Sequence, residues 1–255
     1  METLKSQIHK SFFNNEFTKE LIKAEVHFNN LYKACGNKFL KNCGSYLIEG
    51  SAYDYYIENY PKQKFLFDLI RNRKKNINIL EIGTYMGHSL LLMLMANNQI
   101  SVTCIDIDDT YSGPAIEYLK RNFPNANIEF IKGDSLKVLK SLKKKYDLFL
   151  IDGTHRNTQV TREFTYCINN LLSSKKIDFV MDDINHAMPL KNNIFSSFNI
   201  SEEKLLNVPG GNIFFQITFP QNIFDLFIRK KKFFFLNLKW YLKKKFFKLI
   251  HLKKI

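Results

Sequence analysis

Residues 77–108 read INILEIGTYMGHSLLLMLMANNQISVTCIDID, and their order decides the fold. A strand-length apolar run, INILEI, breaks at Gly83 and Gly87. A helix-length run, SLLLMLMA, follows, and a second strand-like run, ISVTCID, ends on Asp106. Strand, helix and strand in so short a span form the unit of a parallel sheet with helices on its faces. Ile82 to Ile105 carries no formal charge, yet Gly83, Gly87 and Asn97-Asn98-Gln99 interrupt it. No run of the ~20 apolar residues needed to span a bilayer results.

Outward from this unit the alternation continues. AIEYLKRNF, ANIEFIKGD, SLKVLKSLKK, YDLFLIDG, TQVTREFTYCINNLL and KIDFVMDD extend the pattern to four or five strands. The expected class is α/β, a Rossmann-like doubly wound sheet, mostly parallel, with helices on both faces. EEKLLNVPGGNIFFQITFP places two strand-like runs around Pro209-Gly210-Gly211-Asn212, so an antiparallel hairpin should close the sheet. Upstream, segments near 15–34 and 61–74 look helical. Pro61 suits a helix start, and Phe65, Leu66, Leu69 and Ile70 follow at helical spacing. The expected division is a helical N-terminal cap segment at 1–59, an α/β domain at 60–220 and a basic, aromatic-rich tail at 221–255.

With 255 residues, 45% hydrophobic and 24% charged, the chain can bury a sizeable core, which excludes wholesale disorder and collagen-like classes. The net charge of +14 is local. Residues 222–255 hold eleven Lys/Arg against one acid, which leaves only +4 for the rest. Cys35, Cys43, Cys104 and Cys167 are too sparse for a disulfide framework and lack a C-x-x-C zinc spacing, so free thiols in a reducing compartment are expected. The N-terminus METLKSQIHK has no apolar h-region, so no secretory signal is expected and the protein reads as cytoplasmic.

Chemistry concentrates at the strand ends. Glycines between a strand and a helix let the backbone approach a ligand closely and present a positive helix end to it. Glu81-Ile-Gly83-Thr84-Tyr-Met-Gly87-His-Ser89 is neither a P-loop nor the three-glycine dinucleotide fingerprint. Asp106 stands nineteen residues after Gly87, where a carboxylate can accept hydrogen bonds from both ribose hydroxyls, so turn and acid together point to an adenosine-type ligand. Asp134, followed by Ser135, either contacts an adenine amine or caps the next helix, and the two roles can coexist. Asp152 ends the fourth strand, and Asp182 and Asp183 end the fifth. If those strands are neighbours the three carboxylates converge, and a hard cation such as Mg²⁺, Ca²⁺ or Mn²⁺ would relieve their repulsion. The other reading has one aspartate capping a helix and another facing solvent.

EIGTYMGHS, CIDID, KGDS, LIDGTH and MDDIN, in this order, resemble class I S-adenosylmethionine-dependent methyltransferases. Within that class they are most similar to metal-dependent small-molecule O-methyltransferases of the catechol O-methyltransferase type and to related bacterial enzymes. The resemblance spans about residues 60–218. It implies Glu81 and Gly83 near the methionine moiety, with Thr84, Gly87 and Ser89 in the same turn. Asp106 would meet the ribose, and Asp134 and Ser135 the adenine. Asp152, Asp182 and Asp183 would form the metal set for Mg²⁺ or another divalent cation. His155 replaces the catalytic lysine of the catechol enzyme and Asp183 its asparagine ligand. Imidazole is a competent base near neutrality, so His155 is expected as base or orienter beside Asp152.

The expected acceptor is a small hydroxylated molecule, a sugar, phenol or similar compound. An RNA methyltransferase would suit the charge, but Asp152-Gly-Thr-His is not the Asn/Asp-Pro-Pro-aromatic turn of base-amino enzymes, so nucleic acid is not the expected partner. A non-enzymatic adaptor on the same fold is the other class. In the tail, Phe235, Leu238, Leu242, Phe246 and Leu249 form one stripe if helical, with Lys239 and Lys253 intruding. A basic, aromatic-rich helix of this kind fits an anionic membrane surface, with a helix docked on the protein's own body, RNA contact and a solvated tail as the competing readings.

Overall fold

The computed structural model of the chain describes residues 15–38, 40, 60–73, 76–154 and 156–252, the last seven by backbone alone. Seven strands form one sheet: β1 (Asn78–Ile82), β2 (Ser101–Asp106), β3 (Asn127–Lys132), β4 (Leu148–Ile151), β5 (Lys176–Asp182), β6 (Asn199–Leu206) and β7 (Asn212–Thr218). Their order is β3-β2-β1-β4-β5-β7-β6. The first five run parallel, while β7 pairs antiparallel with β5 and with β6. The doubly wound sheet and its closing hairpin are therefore as the sequence led us to expect. At the edge, β6 exposes Glu202, Glu203 and Lys204, charges that discourage pairing with another chain.

Alternation along each strand feeds two cores, because successive side chains point to opposite faces. Ile79, Val102, Leu148, Val180 and Phe214 meet one set of helices; Leu80, Ile105, Phe149, Phe179 and Phe215 meet the other. The first set is α1 (Glu16–Ala34), α2 (Tyr60–Arg71), α3 (His88–Ala96) and α4 (Asp109–Asn122). The second is α5 (Ser135–Ser141), α6 (Asn157–Asn170), α7 (Met188–Ser197) and part of α8 (Ile223–Leu252).

Both ends of the described chain join these cores. In α1, Phe17, Leu21, Ala24, Phe28 and Leu31 recur at helical spacing and are buried with α2 to α4. The Asn15 side chain caps α1 by accepting from Thr18 N and also donates to the Tyr60 hydroxyl, which ties the N-terminal helix to α2. In α8, Phe233 is buried against Phe164 and Phe198, and Asn237 accepts from the Asn193 side chain on α7. Of the stripe read from the sequence, Phe235, Leu238 and Leu242 face outward, and the side chains of Phe246 and Leu249 fall outside the described set. Apolar residues occur around most of the helix, so periodicity alone does not reveal which side docks. No helix among the described residues is long and apolar enough to cross a membrane.

Candidate active site

Every parallel strand points its carboxyl end at one cleft, where ligands of open α/β sheets bind. A cavity of about 720 Å³ occupies it. Gly83, Thr84, Ser89, Asp106, Asp134, Ser135, Asp152, Asp182 and Asp183 all line this cavity. Glu81 lies just beneath it, Gly87 caps α3 behind it, and His155 falls outside the described residues.

The turn after β1 is built by backbone necessity. Gly83 has φ +89°, and a Cβ there would stand 2.1 Å from the Asp152 carbonyl oxygen. Only glycine lets β1 and β4 end side by side. Asp106 reaches across from β2, accepting from Thr84 N at 3.0 Å and Tyr85 N at 2.8 Å through one oxygen. Its other oxygen accepts from Asp108 N at 3.2 Å.

Glu81 is fully buried, and its carboxyl accepts hydrogen bonds from the Ser89 and Thr84 hydroxyls. Both hydroxyls, expected at the cofactor, thus point their donors at Glu81. Burial pushes the Glu81 pKa up to about 7 from the ordinary 4.5, although the hydroxyls oppose it. A carboxyl raised in the folded state stabilises fully below about 4.5, and that contribution is lost as pH rises through about 7. At 1.36 kcal/mol per pH unit, about 3 kcal/mol is at stake. Glu81→Gln keeps the hydrogen-bond acceptor but cannot ionise, so its thermal unfolding midpoint should fall less than wild type's between pH 5 and about 7.5. Parallel pH curves for the two proteins would show that Glu81 does not titrate in this window.

At the β3 end, Asp134 caps α5 by accepting from Lys137 N at 3.1 Å while also lining the cavity. Ser135 donates its hydroxyl to Glu163, a buried residue of α6. Gln159 donates to the same Glu163 oxygen, and the other oxygen is buried without a hydrogen-bond partner. Sequence reading missed Glu163, because it lies mid-helix in TQVTREFTYCINNLL with nothing local to mark it.

Asp152, Asp182 and Asp183 do come together, as adjacent β4 and β5 require. Their counter-charge, however, is Lys62, from the first turn of α2. Its ammonium pairs with Asp182, in a setting where the Asp182 side chain is only 7% exposed. Burial pushes the Lys62 pKa down, but Asp182, Asp152 and Asp183 outweigh it and hold the ammonium above its ordinary value. Burial and then Asp182 push the Asp152 carboxyl well above the usual carboxylate range, against the pull of Lys62. Asp182 also accepts from Asp183 N at 3.0 Å and from the Asn212 side chain at 3.3 Å. Asp183 adopts a left-handed φ of +49° at the end of β5, and its carboxylate lies against the hairpin loop at Gly210. No group of three or more His, Cys, Asp or Glu among the described residues is arranged to hold a metal ion. In this structure the Lys62 ammonium supplies the positive charge that the resemblance gives to a divalent cation at Asp152, Asp182 and Asp183.

Beside Lys62, Gln63 is buried, lines the cavity, and has neither amide atom hydrogen-bonded. A buried amide without partners costs a few kcal/mol, so such a group at a cavity wall marks a place for a polar ligand. His88, at the start of α3, packs edge-on against Phe28 and Tyr85, and burial lowers its pKa to about 4, so it is neutral.

Comparison with known proteins agrees with this geometry. Residues 80–174 match a family model described as a methyltransferase domain. Tapetum-specific methyltransferase 1 of Arabidopsis thaliana is 29% identical over 105 residues, 39% of this chain, and the match spans 42% of that relative's length. The O-methyltransferase TomG from Streptomyces achromogenes, solved with S-adenosylmethionine, superposes with a TM-score of 0.58 at 15% identity, covering 86% of this chain and 99% of that one. An O-methyltransferase from Bacillus cereus, solved with S-adenosylhomocysteine, gives 0.57 at 14% identity, covering 85% and 97%. These two likenesses concern the fold. Matched segment, strand order and glycine turn agree: residues 80–174 are similar to a methyltransferase domain, and the sheet has the fold of the two O-methyltransferases it superposes on.

Proposed function

We propose that this protein transfers a methyl group from S-adenosylmethionine to a hydroxyl oxygen of a small acceptor such as a sugar or phenol. The observation that carries the reading is the convergence of nine sequence-predicted residues on one cavity, with the Asp106 carboxylate fastened to the glycine turn. In this reading Asp106 accepts from the ribose hydroxyls and Gly83 lets the methionine moiety lie against the backbone. Asp134, together with the free oxygen of Glu163, takes the adenine amine. Bound S-adenosylmethionine supplies an electrophilic sulfonium methyl group.

At the other end of the cavity, Lys62 orients the acceptor oxygen and stabilises negative charge developing on it, the task the resemblance gives to a metal. Gln63 fixes a second polar group of the acceptor. The acceptor proton passes to a carboxylate of the Asp152, Asp182 and Asp183 corner or to His155, three residues after Asp152. The cap segment at 1–59 and the loop after Asn185, which places His186 on the cavity wall, would shape the acceptor pocket.

The experiment is methyl transfer from labelled S-adenosylmethionine to a panel of phenols and sugars, run with and without a strong chelator. Turnover on at least one hydroxylated acceptor, unchanged by the chelator, is expected. Loss of turnover on chelation with recovery in Mg²⁺ would restore the metal. Cofactor binding with no turnover on any member would favour the adaptor reading.

A further inference from the structure

We propose that the outer face of α8 binds the surface of an anionic lipid membrane. The inner face is already committed, because Phe233 lies in the core and Asn237 is bonded to Asn193. At 3.6 residues per turn, Phe224, Phe227, Phe234, Phe235 and Leu238 fall on the side opposite Phe233. All are exposed, Phe224 by 66% and Phe235 by 60%. A row of phenylalanines in water is costly unless something covers it.

Charge selects the occupant. Lys231 and Lys245 stand within this apolar face, and Lys232, Lys239 and Lys243 run along one border, all exposed. Asp225 is the only acid of the helix. The Lys231 ammonium lies over the Phe227 ring at 4.4 Å and that of Lys245 over Tyr241 at 5.6 Å. Rings and ammonium groups thus project together, as they would where rings enter the acyl boundary and lysines reach phosphates. An apolar protein groove would leave those ammonium groups buried without partners. A nucleic acid would meet the charge but leave the phenylalanine row in water.

Flotation of the full chain with phosphatidylcholine vesicles, with and without phosphatidylglycerol, tests the proposal. Phe224→Ser/Phe227→Ser/Phe235→Ser is compared, since it spares Phe233 and should keep the thermal unfolding midpoint. Wild type should float at least tenfold more with the anionic vesicles, less so in high salt, and the variant should stay at the bottom. No flotation, or equal flotation of wild type and variant, overturns the proposal. So does displacement of the vesicles by equimolar polyuridylate, or a wild-type dimer in solution that the variant lacks.

Discussion

Replacing Lys62 by alanine is expected to destabilise the protein by about 3–5 kcal/mol, the cost of leaving a buried carboxylate without its partner. The Lys62 ammonium pairs with Asp182 and sits in the field of Asp152 and Asp183. Without it, three carboxyl groups face one another in a corner where Asp182 is nearly buried. Such a corner suits a hard cation. Millimolar Mn²⁺ should therefore raise the thermal unfolding midpoint of Lys62→Ala while leaving wild type unmoved, because ammonium and metal compete for one place. Lys62→Arg, which keeps the charge, should lose less stability and gain nothing from Mn²⁺. Wild type stabilised by Mn²⁺ as strongly as the alanine variant would show that the ammonium and the metal do not share a site. A Lys62→Ala protein as stable as wild type would show that the pair carries no stability.

The sheet was legible because its signals are local. INILEIG, ISVTCIDID, YDLFLIDG and KIDFVMDD each place a short apolar run before a glycine or an acid, and Pro209-Gly210-Gly211-Asn212 marks the hairpin within four residues. Asp106, Asp134, Asp152, Asp182 and Asp183 were legible for the same reason, since the end of a parallel strand fixes where its acid stands. Lys62 was not. It lies 120 residues before Asp182, and only packing of α2 onto the sheet brings them together. One local sign existed: a lysine in a first helical turn opposes the helix dipole and calls for an acid nearby. PKQKFLFDLI also hides Gln63, whose burial follows from the apolar positions after it but whose exposure to a cavity does not. The docking side of α8 escaped because its apolar residues are spread around the helix, and Phe233 is singled out only by Phe164 and Phe198.

Asp106→Ala is the second change with a large expected effect. The Asp106 carboxylate fixes two backbone N–H groups of the glycine turn, and in the proposed complex it also accepts from the ribose. Hydrogen bonds to a charged group contribute about 1.5–3 kcal/mol each. Losing the ribose bonds together with part of the turn's order should cost about 3–4 kcal/mol of cofactor affinity, a factor of several hundred. Asp106 carries neither the Lys62 pair nor the Glu81 hydroxyl bonds, so the variant should keep its fold, as an unchanged far-UV circular dichroism spectrum would show.

In the proposed function the cleft over the strand ends holds S-adenosylmethionine. Calorimetric titration of S-adenosylhomocysteine into wild type and Asp106→Ala tests it most directly, without any acceptor or metal. One molecule bound per wild-type chain, and binding several hundredfold weaker in the folded variant, is the predicted result. A wild-type protein that takes up no S-adenosylhomocysteine, or a variant that binds it as tightly as wild type, would contradict the assignment.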